Sequence, residues 1–132
     1  MARTIELADG VYRIATDNYR LNTGLVLGLE RALVVDTGAG PRQATEIYDE
    51  VRRLTRLPIT VVNTHGHYER FFGNDVFAAM GAEEFWAHPR AARAIRKYGE
   101  AQRPYVETLE PEMAHHQGAV SYTHLRAHET RH

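Results

Sequence analysis

The sequence predicts one small domain of the mixed α/β class (α+β type), with strands first and then strands alternating with helices. Short apolar runs occur early in the chain, at 11–15, 25–27 and 32–35. After Gly40 the apolar residues recur at helical spacing, and a β-branched run follows at 59–62. Strands that alternate with helices favour a partly parallel sheet covered by helices. In such sheets ligands gather at the carboxyl ends of strands.

The first half of this pattern has clear element boundaries. The Asp9-Gly10 turn precedes an alternating strand at 11–15, and the next two apolar runs suggest a meander or hairpin. Pro41 suits the first position of a helix, and Pro58 ends that segment. The apolar face of this predicted helix consists of Ala44, Ile47, Tyr48, Val51 and Leu54.

The second half predicts two further helices around one strand. Asn74 is placed to cap a short helix that ends at Gly81. Residues 85–87 then predict a strand, and a helix follows from Pro89 to Tyr98, ended by Gly99. The His88 side chain precedes this helix, and we interpret it as an N-cap rather than a metal ligand.

Composition restricts the classes of partner. The 132 residues carry a net charge of −1, so no overall positive field would attract nucleic acid or an anionic membrane. We expect a small-molecule substrate instead. The chain has no cysteine, so any metal must be held by histidine and carboxylate groups. Neither a signal-peptide pattern nor a run of about 18 apolar residues occurs, and we expect a cytoplasmic protein.

The chemistry suggested by the sequence depends on the segment Asn63-Thr64-His65-Gly66-His67-Tyr68-Glu69, which directly follows the strand at 59–62. Residues at i, i+2 and i+4 of an extended segment project to the same side, so His65, His67 and Glu69 would converge on one cation. These ligand types suit zinc, with manganese or iron as weaker candidates. Zinc with an open coordination position supplies hydroxide at neutral pH and polarises a carbonyl, so the pattern predicts hydrolysis.

Two segments together closely resemble the opening of the metallo-β-lactamase superfamily. They are Leu33-Val34-Val35-Asp36-Thr37-Gly38 and, after a helix, Val61-Val62-Asn63-Thr64-His65-Gly66-His67. That superfamily includes β-lactamases, glyoxalase II, lactonases and several nucleases. The resemblance extends from about Ile5 to Gly118 and implies the N-terminal half of a four-layer αββα sandwich.

The resemblance also implies roles for single residues. His65 and His67 match the first two zinc ligands of the family's His-x-His-x-Asp-His signature. Glu69 stands where the family has Asp, and it would reach the metal with altered geometry and orient or deprotonate the attacking water. Arg70 stands where many members have a histidine of the second zinc site, and arginine cannot be a ligand. One or two zinc ions are therefore expected, with the second site in doubt.

Asp36 matches the family's early Asp-Thr-Gly motif and has two interpretations. A carboxylate at a strand end beside a metal would orient the histidine ligands from the second coordination shell. Alternatively, it would be a turn residue that bonds to the Thr37-Gly38 backbone. Asn74 is interpreted as a helix cap rather than an oxyanion donor, and Tyr68 as a residue beside the metal loop that would contribute weakly to a pocket.

The segment 119–132 forms a separate unit from the predicted domain at 1–118. Its stretch Val120–Thr130 resembles the translation of a transposase-type sequencing-library adapter, and the alternative is a native C-terminal tail. Five of the eight histidines lie from His115 onward. The i, i+4, i+8 spacing of His124, His128 and His132 would suggest a metal-binding face, but we attribute it to this tail.

If the native sequence ends near Gly118, the family's remaining zinc ligands lie outside this chain. We then expect the complete protein to be a zinc-dependent hydrolase of an ester, thioester or lactam bond, with metal-bound hydroxide as nucleophile. The 132-residue chain itself would be inactive. Two alternatives stay open: a binding module of the same fold that has lost the dinuclear site, and an unrelated α/β domain with a fortuitous His-x-His.

Overall fold

The computed structural model describes residues 2–17, 21–109 and 125–127, and within them one mixed sheet carries helices in its connections. The strands are β1 (Arg3–Ala8), β2 (Val11–Ala15), β3 (Asn22–Leu27), β4 (Ala32–Val35), β5 (Ile59–Asn63), β6 (Glu84–Ala87) and β7 (Leu125–Ala127). The helices are α1 (Pro41–Leu54), α2 (Tyr68–Phe71), α3 (Asn74–Ala79) and α4 (Pro89–Leu109).

The strands lie in the sheet in the same order as in the chain. The first three pairings, from β1 to β4, are antiparallel, and the next three, from β4 to β7, are parallel. Antiparallel neighbours need only short turns, whereas parallel neighbours need long crossovers. The helix α1 provides the crossover from β4 to β5, and α2 with α3 provides the next one. The predicted change from a meander to α/β alternation is therefore confirmed.

The core lies on one face of the sheet. Leu25, Val34, Val61 and Phe85 are register partners across four adjacent strands, and all four are buried. The helices add their own buried residues to this cluster, among them Ala44, Ile47, Val51, Phe77, Ala92 and Ile95. The alternation along each strand places its other side chains on the opposite face.

That opposite face carries apolar side chains with partial exposure. Ile5 and Val26, on β1 and β3, are exposed by 44% and 38%. Leu7 lies where the register between β1 and β2 shifts, and it is exposed by 62%. Helices packed on one face of a mixed sheet, with apolar groups left on the other, correspond to half of a sandwich.

The predicted end of the last helix was wrong. α4 continues through Gly99 to Leu109 and includes Pro104. A glycine inside a helix costs about 1 kcal/mol relative to alanine, which is too little to end a helix that packs well on one face. Buried Ala92 and Ile95 supply that packing.

Most of the segment predicted to be an adapter-derived tail lies outside the described residues, as do the histidines from His115 onward. The three residues of β7 are described, and they pair in parallel with β6. The non-native origin of 119–132 stays a prediction. Within the described part of the chain, no helix combines the length and apolar character needed to cross a membrane.

Candidate metal centre

The two motif loops leave the sheet side by side. Val35 and Val62 are register partners in the parallel pair β4–β5, so both strands end at the same edge. The Asp36 N–H donates to the Val62 carbonyl at 2.8 Å, which extends this pairing by one residue. As expected from the sequence, the Asp-Thr-Gly loop and the His-x-His loop begin next to each other.

Asp36 links these two loops. Its backbone has a φ of +69°, a left-handed conformation that Asp and Asn tolerate better than most residues. Its buried carboxylate accepts two hydrogen bonds from Thr64, from the backbone N–H at 2.8 Å and from the hydroxyl at 2.7 Å. Among the described residues, the other group near this carboxylate is the Arg70 guanidinium, at 3.5 Å. The carboxylate therefore faces the histidine loop rather than its own turn.

The electrostatics of Asp36 reflect two opposing influences. Burial raises the pKa of its carboxyl group, because it penalises the charged form. The two hydrogen bonds from Thr64, together with the charges of Arg70 and His65, act in the opposite direction and lower this pKa. Burial outweighs these contacts, so the pKa of the Asp36 carboxyl group is raised on balance.

The Thr64 hydroxyl connects this carboxylate to His65. Its oxygen lies 3.1 Å from His65 Nδ1. Because the hydroxyl proton goes to Asp36, the hydroxyl oxygen is left as the acceptor for an Nδ1–H of His65. This tautomer leaves the lone pair of His65 Nε2 available for a cation. The Asp36 carboxylate thus reaches His65 indirectly, through the Thr64 hydroxyl, and its orienting role toward a metal ligand stays a prediction.

His65 and His67 lie on the same side of the loop. Both side chains are exposed, their ring centroids are 6.2 Å apart, and their planes differ by 20°. The pKa of His67 is lowered, first by partial burial of its ring and then by its electrostatic interactions with His65 and Arg70. Neutral imidazole is the form that binds a metal. Two neighbouring imidazoles are of a ligand type that suits zinc, and they would fill half of a tetrahedral ligand set.

The geometry that the sequence analysis assumed for Glu69 was wrong. The extended conformation ends at His67, which has φ −101° and ψ 143° and is the N-cap of α2. Glu69 lies inside that helix, so the i, i+2, i+4 rule for strands does not apply to it. Its side chain is outside the described part of the structure, and its ligand and catalytic roles stay predictions. Within that part, no three His, Asp or Glu side chains form a metal-binding group.

Arg70 places a positive charge next to the histidine loop. Its side chain is 28% exposed, and its guanidinium lies 3.5 Å from the Asp36 carboxylate. Its backbone carbonyl accepts hydrogen bonds from the Thr37 N–H and the Asn63 side chain, each at 3.0 Å. Arg70 therefore ties the Asp-Thr-Gly loop to the segment that follows the histidines. A guanidinium in this place provides charge but no metal ligand.

A buried pair of amide side chains behind the loop was not predicted from the sequence. Asn63 and Asn74 exchange two hydrogen bonds, at 2.8 and 3.1 Å, and both are almost fully buried. The Thr37 hydroxyl donates to Asn74 Oδ1 at 2.7 Å. Asn74 was predicted to be a cap, but Gly73 is the N-cap of α3 and Asn74 is its first residue. The signal in the sequence is Asn63, a polar residue at an inward-facing position of β5.

The side chains of His88 and Tyr68 have structural roles. His88 accepts from the Arg90 N–H at 3.1 Å through Nδ1, which confirms its predicted place as a helix N-cap. Tyr68 is buried, with its ring 4.8 Å from the His67 ring and 5.9 Å from the Phe72 ring. Tyr68 therefore supports the loop from the core side.

The chain is thus a mixed α/β domain with helices on one face of its sheet, and it places an Asp-Thr-Gly loop beside a His-x-His loop at one edge. The profile of the metallo-β-lactamase superfamily matches residues 19–128, most of the chain. The chain belongs to this superfamily. The match continues past Gly118 into the segment 119–132.

Solved structures agree on the fold. The structure of TMB-1 superposes with a TM-score of 0.61 at 16% sequence identity, covering 74% of this chain and 48% of that one. The DIM-1 metallo-β-lactamase exposed to ceftazidime gives 0.62 at 16% identity with the same coverage. A second DIM-1 structure gives 0.62 at 15% identity and covers 74% and 47%. The chain thus spans about half the length of the structures it matches.

Proposed function

We propose that the complete protein is a zinc-dependent hydrolase that cleaves an ester, thioester or lactam bond in a small molecule. The observation that carries this proposal is the chain of contacts from Asp36 through Thr64 to His65, with His67 beside it. This arrangement favours the His65 tautomer with Nδ1 protonated and so leaves Nε2 free to bind a metal. Membership of the metallo-β-lactamase superfamily supports the same class of chemistry.

Each residue of this proposal has a distinct task. His65 and His67 would hold the zinc ion. Zinc bound there would lower the pKa of a water molecule and polarise the substrate carbonyl. Asp36 holds the Thr64 hydroxyl, and Thr64 in turn fixes the ring of His65. Glu69 would orient the attacking water or take its proton, as its place in the motif suggests.

The chain spans about half of its structural neighbours, so we propose that the complete protein supplies the remaining ligands. Two imidazoles are half of a tetrahedral set, and a catalytic zinc usually has three protein ligands. On this proposal the 132-residue chain binds zinc weakly and does not turn over substrate, and only the longer protein is active.

A binding module without catalysis is the second candidate. One observation favours it: within the described residues, no three potential ligands come together, and the Arg70 guanidinium takes part of the space beside Asp36. A member of the superfamily that had lost its metal would keep the fold and the Asp36–Thr64 contact. Such a protein would be folded and free of zinc.

The test uses protein expressed from the uninterrupted reading frame beyond Gly118. Hydrolysis is measured with a chromogenic β-lactam, a lactone and an acyl thioester, before chelation, after chelation and after zinc is returned. The proposal expects at least one substrate to be cleaved, with activity lost on chelation and restored by zinc. A folded, zinc-free protein that cleaves none of them would support the binding module.

Variants of Thr64 separate the contact chain from general stability. Thr64→Ala removes the hydroxyl and should lower zinc affinity by about 10- to 100-fold, while Thr64→Ser keeps the hydroxyl and should retain most of it. Thr45→Ala is a matched control, because Thr45 lies at an exposed position of α1 and its hydroxyl donates to the Pro41 carbonyl at 2.7 Å. Equal affinities for all three variants would contradict the role of Thr64.

A further inference from the structure

The backbone between the two histidines lies directly on α4. A Cβ atom at Gly66 would be 2.7 Å from the Ala94 Cβ and 3.3 Å from the Ala91 carbonyl oxygen. The first distance is too short for a Cβ atom and the second is tight, so only glycine fits here without movement of the loop or the helix. α4 therefore acts as the floor of the His-x-His loop.

One side chain of α4 bonds to this loop twice. The Gln102 Nε2 donates to the Gly66 carbonyl at 2.9 Å, and the Tyr68 N–H donates to Gln102 Oε1 at 2.7 Å. Gly66 and Tyr68 are the two neighbours of His67 in the chain. A single carboxamide thus holds the backbone on both sides of His67.

Both backbone groups need an outside partner. Tyr68 is the first residue of α2, and the first N–H groups of a helix have no partner within the helix. The Gly66 carbonyl lies in an irregular loop outside the sheet ladder. A carboxamide carries a donor and an acceptor in one rigid plane, so it bonds to the loop as a neighbouring strand would.

We propose that Gln102 is a positioning residue for His67. Its two bonds fix the peptide planes on either side of His67, and so they fix the direction of the His67 Cα–Cβ bond relative to His65. The proposal rests on the proposed function, because it assigns Gln102 to the same metal centre. Both described hydrogen bonds of Gln102 go to backbone atoms, so Gln102 acts through the backbone.

The test compares two variants of Gln102 with one control. Gln102→Leu keeps the size and removes both bonds, and Gln102→Glu keeps the acceptor for the Tyr68 N–H but loses the donor to Gly66. Tyr48→Phe is the control, because it also removes two hydrogen bonds but away from the loop. The Tyr48 hydroxyl donates to the Met80 carbonyl at 3.3 Å and accepts from Arg52 Nε at 3.0 Å. Each is made in the 132-residue chain and in the longer protein.

Two measurements are made on each protein. The first is amide hydrogen exchange at Tyr68 in the metal-free chain, which Gln102→Leu should accelerate by about tenfold and Gln102→Glu by less. The second is zinc affinity of the longer protein, from competition with a chelator. Gln102→Leu should weaken it by about 10- to 100-fold, with Gln102→Glu between it and wild type. The control should change neither quantity.

The possible results test the role of Gln102 and the proposed function separately. If Gln102→Leu lowers only the melting temperature and leaves zinc affinity at the level of Tyr48→Phe, Gln102 is structural and the inference is overturned. If Gln102→Leu does not fold, Gln102→Glu decides by the same two measurements. If wild-type protein binds zinc and His67→Ala does not, the proposed function stands whatever Gln102 does. If wild-type protein binds no zinc, the proposed function and the inference fall together.

Discussion

The amide pair behind the histidine loop gives a prediction with a definite magnitude. Asn63 and Asn74 are 1% and 4% exposed and exchange two hydrogen bonds. Asn63 makes a third bond to the Arg70 carbonyl, and Asn74 accepts a third from Thr37. The perturbation is a double-mutant cycle with Asn63→Leu, Asn74→Leu and both changes together.

The expected energies follow from counting bonds. Each single variant loses three hydrogen bonds, and at about 1 kcal/mol for each net bond it should lose about 3 kcal/mol of unfolding free energy. The double variant loses the two shared bonds only once, so it should cost about 4 kcal/mol rather than about 6. The coupling energy between Asn63 and Asn74 is therefore expected to be about 2 kcal/mol.

The assay is urea unfolding followed by the fluorescence of Trp86, the chain's single tryptophan. Ile14→Val combined with Asn63→Leu serves as the control pair. Ile14 lies on β2, which β3 and β4 separate from β5, or roughly 14 Å across the sheet at about 4.8 Å per strand. The control pair should be additive within about 0.5 kcal/mol. A coupling energy of about 0.5 kcal/mol or less between Asn63 and Asn74 would contradict a stabilising contribution from their two shared hydrogen bonds.

Three further predictions concern the floor of the loop, the core and the N-terminal strand. Gly66→Ala should cost about 1–3 kcal/mol because its Cβ would clash with Ala94, and wild-type stability in urea unfolding would contradict the contact with α4. Phe77→Ala should cost about 3–5 kcal/mol because the ring is fully buried against Tyr48, and a loss below about 1 kcal/mol would contradict its core position. Hydrogen bonds from Arg53 and Thr4 lower the pKa of Glu50, so its charged form stabilises the fold. The stability difference between wild type and Glu50→Gln should be full above the usual Glu value of about 4.3 and should vanish as pH falls through the lower folded pKa. Unfolding measured between about pH 3 and 7 checks this, and a difference that grows toward low pH would contradict it.

Local signals predicted most of the fold, because its elements are short and well delimited. Pro41 and Pro58 mark the beginning and end of the region that contains α1, and the β-branched run before Asn63 predicts β5. β1 was not predicted, since its apolar residues Ile5 and Leu7 lie on the exposed face and give no buried pattern. The length of α4 was underestimated at Gly99, because helix packing outweighed the local preference of one residue.

The candidate site was predictable only as far as its residues are neighbours in sequence. His65 and His67 follow from the motif, and Asp36 follows from its place after a strand. The bonds that organise them, from Thr64, Asn74 and Gln102, join positions that are distant in the chain. No periodicity or local propensity reports such contacts, since they arise only when β4 and β5 pair and when α3 and α4 pack beside them. The strand geometry assumed for Glu69 failed because α2 begins one residue earlier.

Whether His65 and His67 bind zinc is measured by the zinc content of purified protein. Metal analysis compares wild type, the double variant His65→Ala/His67→Ala and the control His88→Ala in protein from the uninterrupted reading frame. The exposed control histidine caps α4 and lies outside the loop. We predict at least one zinc ion per chain in wild type and control, and none in the folded double variant. Equal zinc content in all three proteins, or no zinc in folded wild type, would contradict the account.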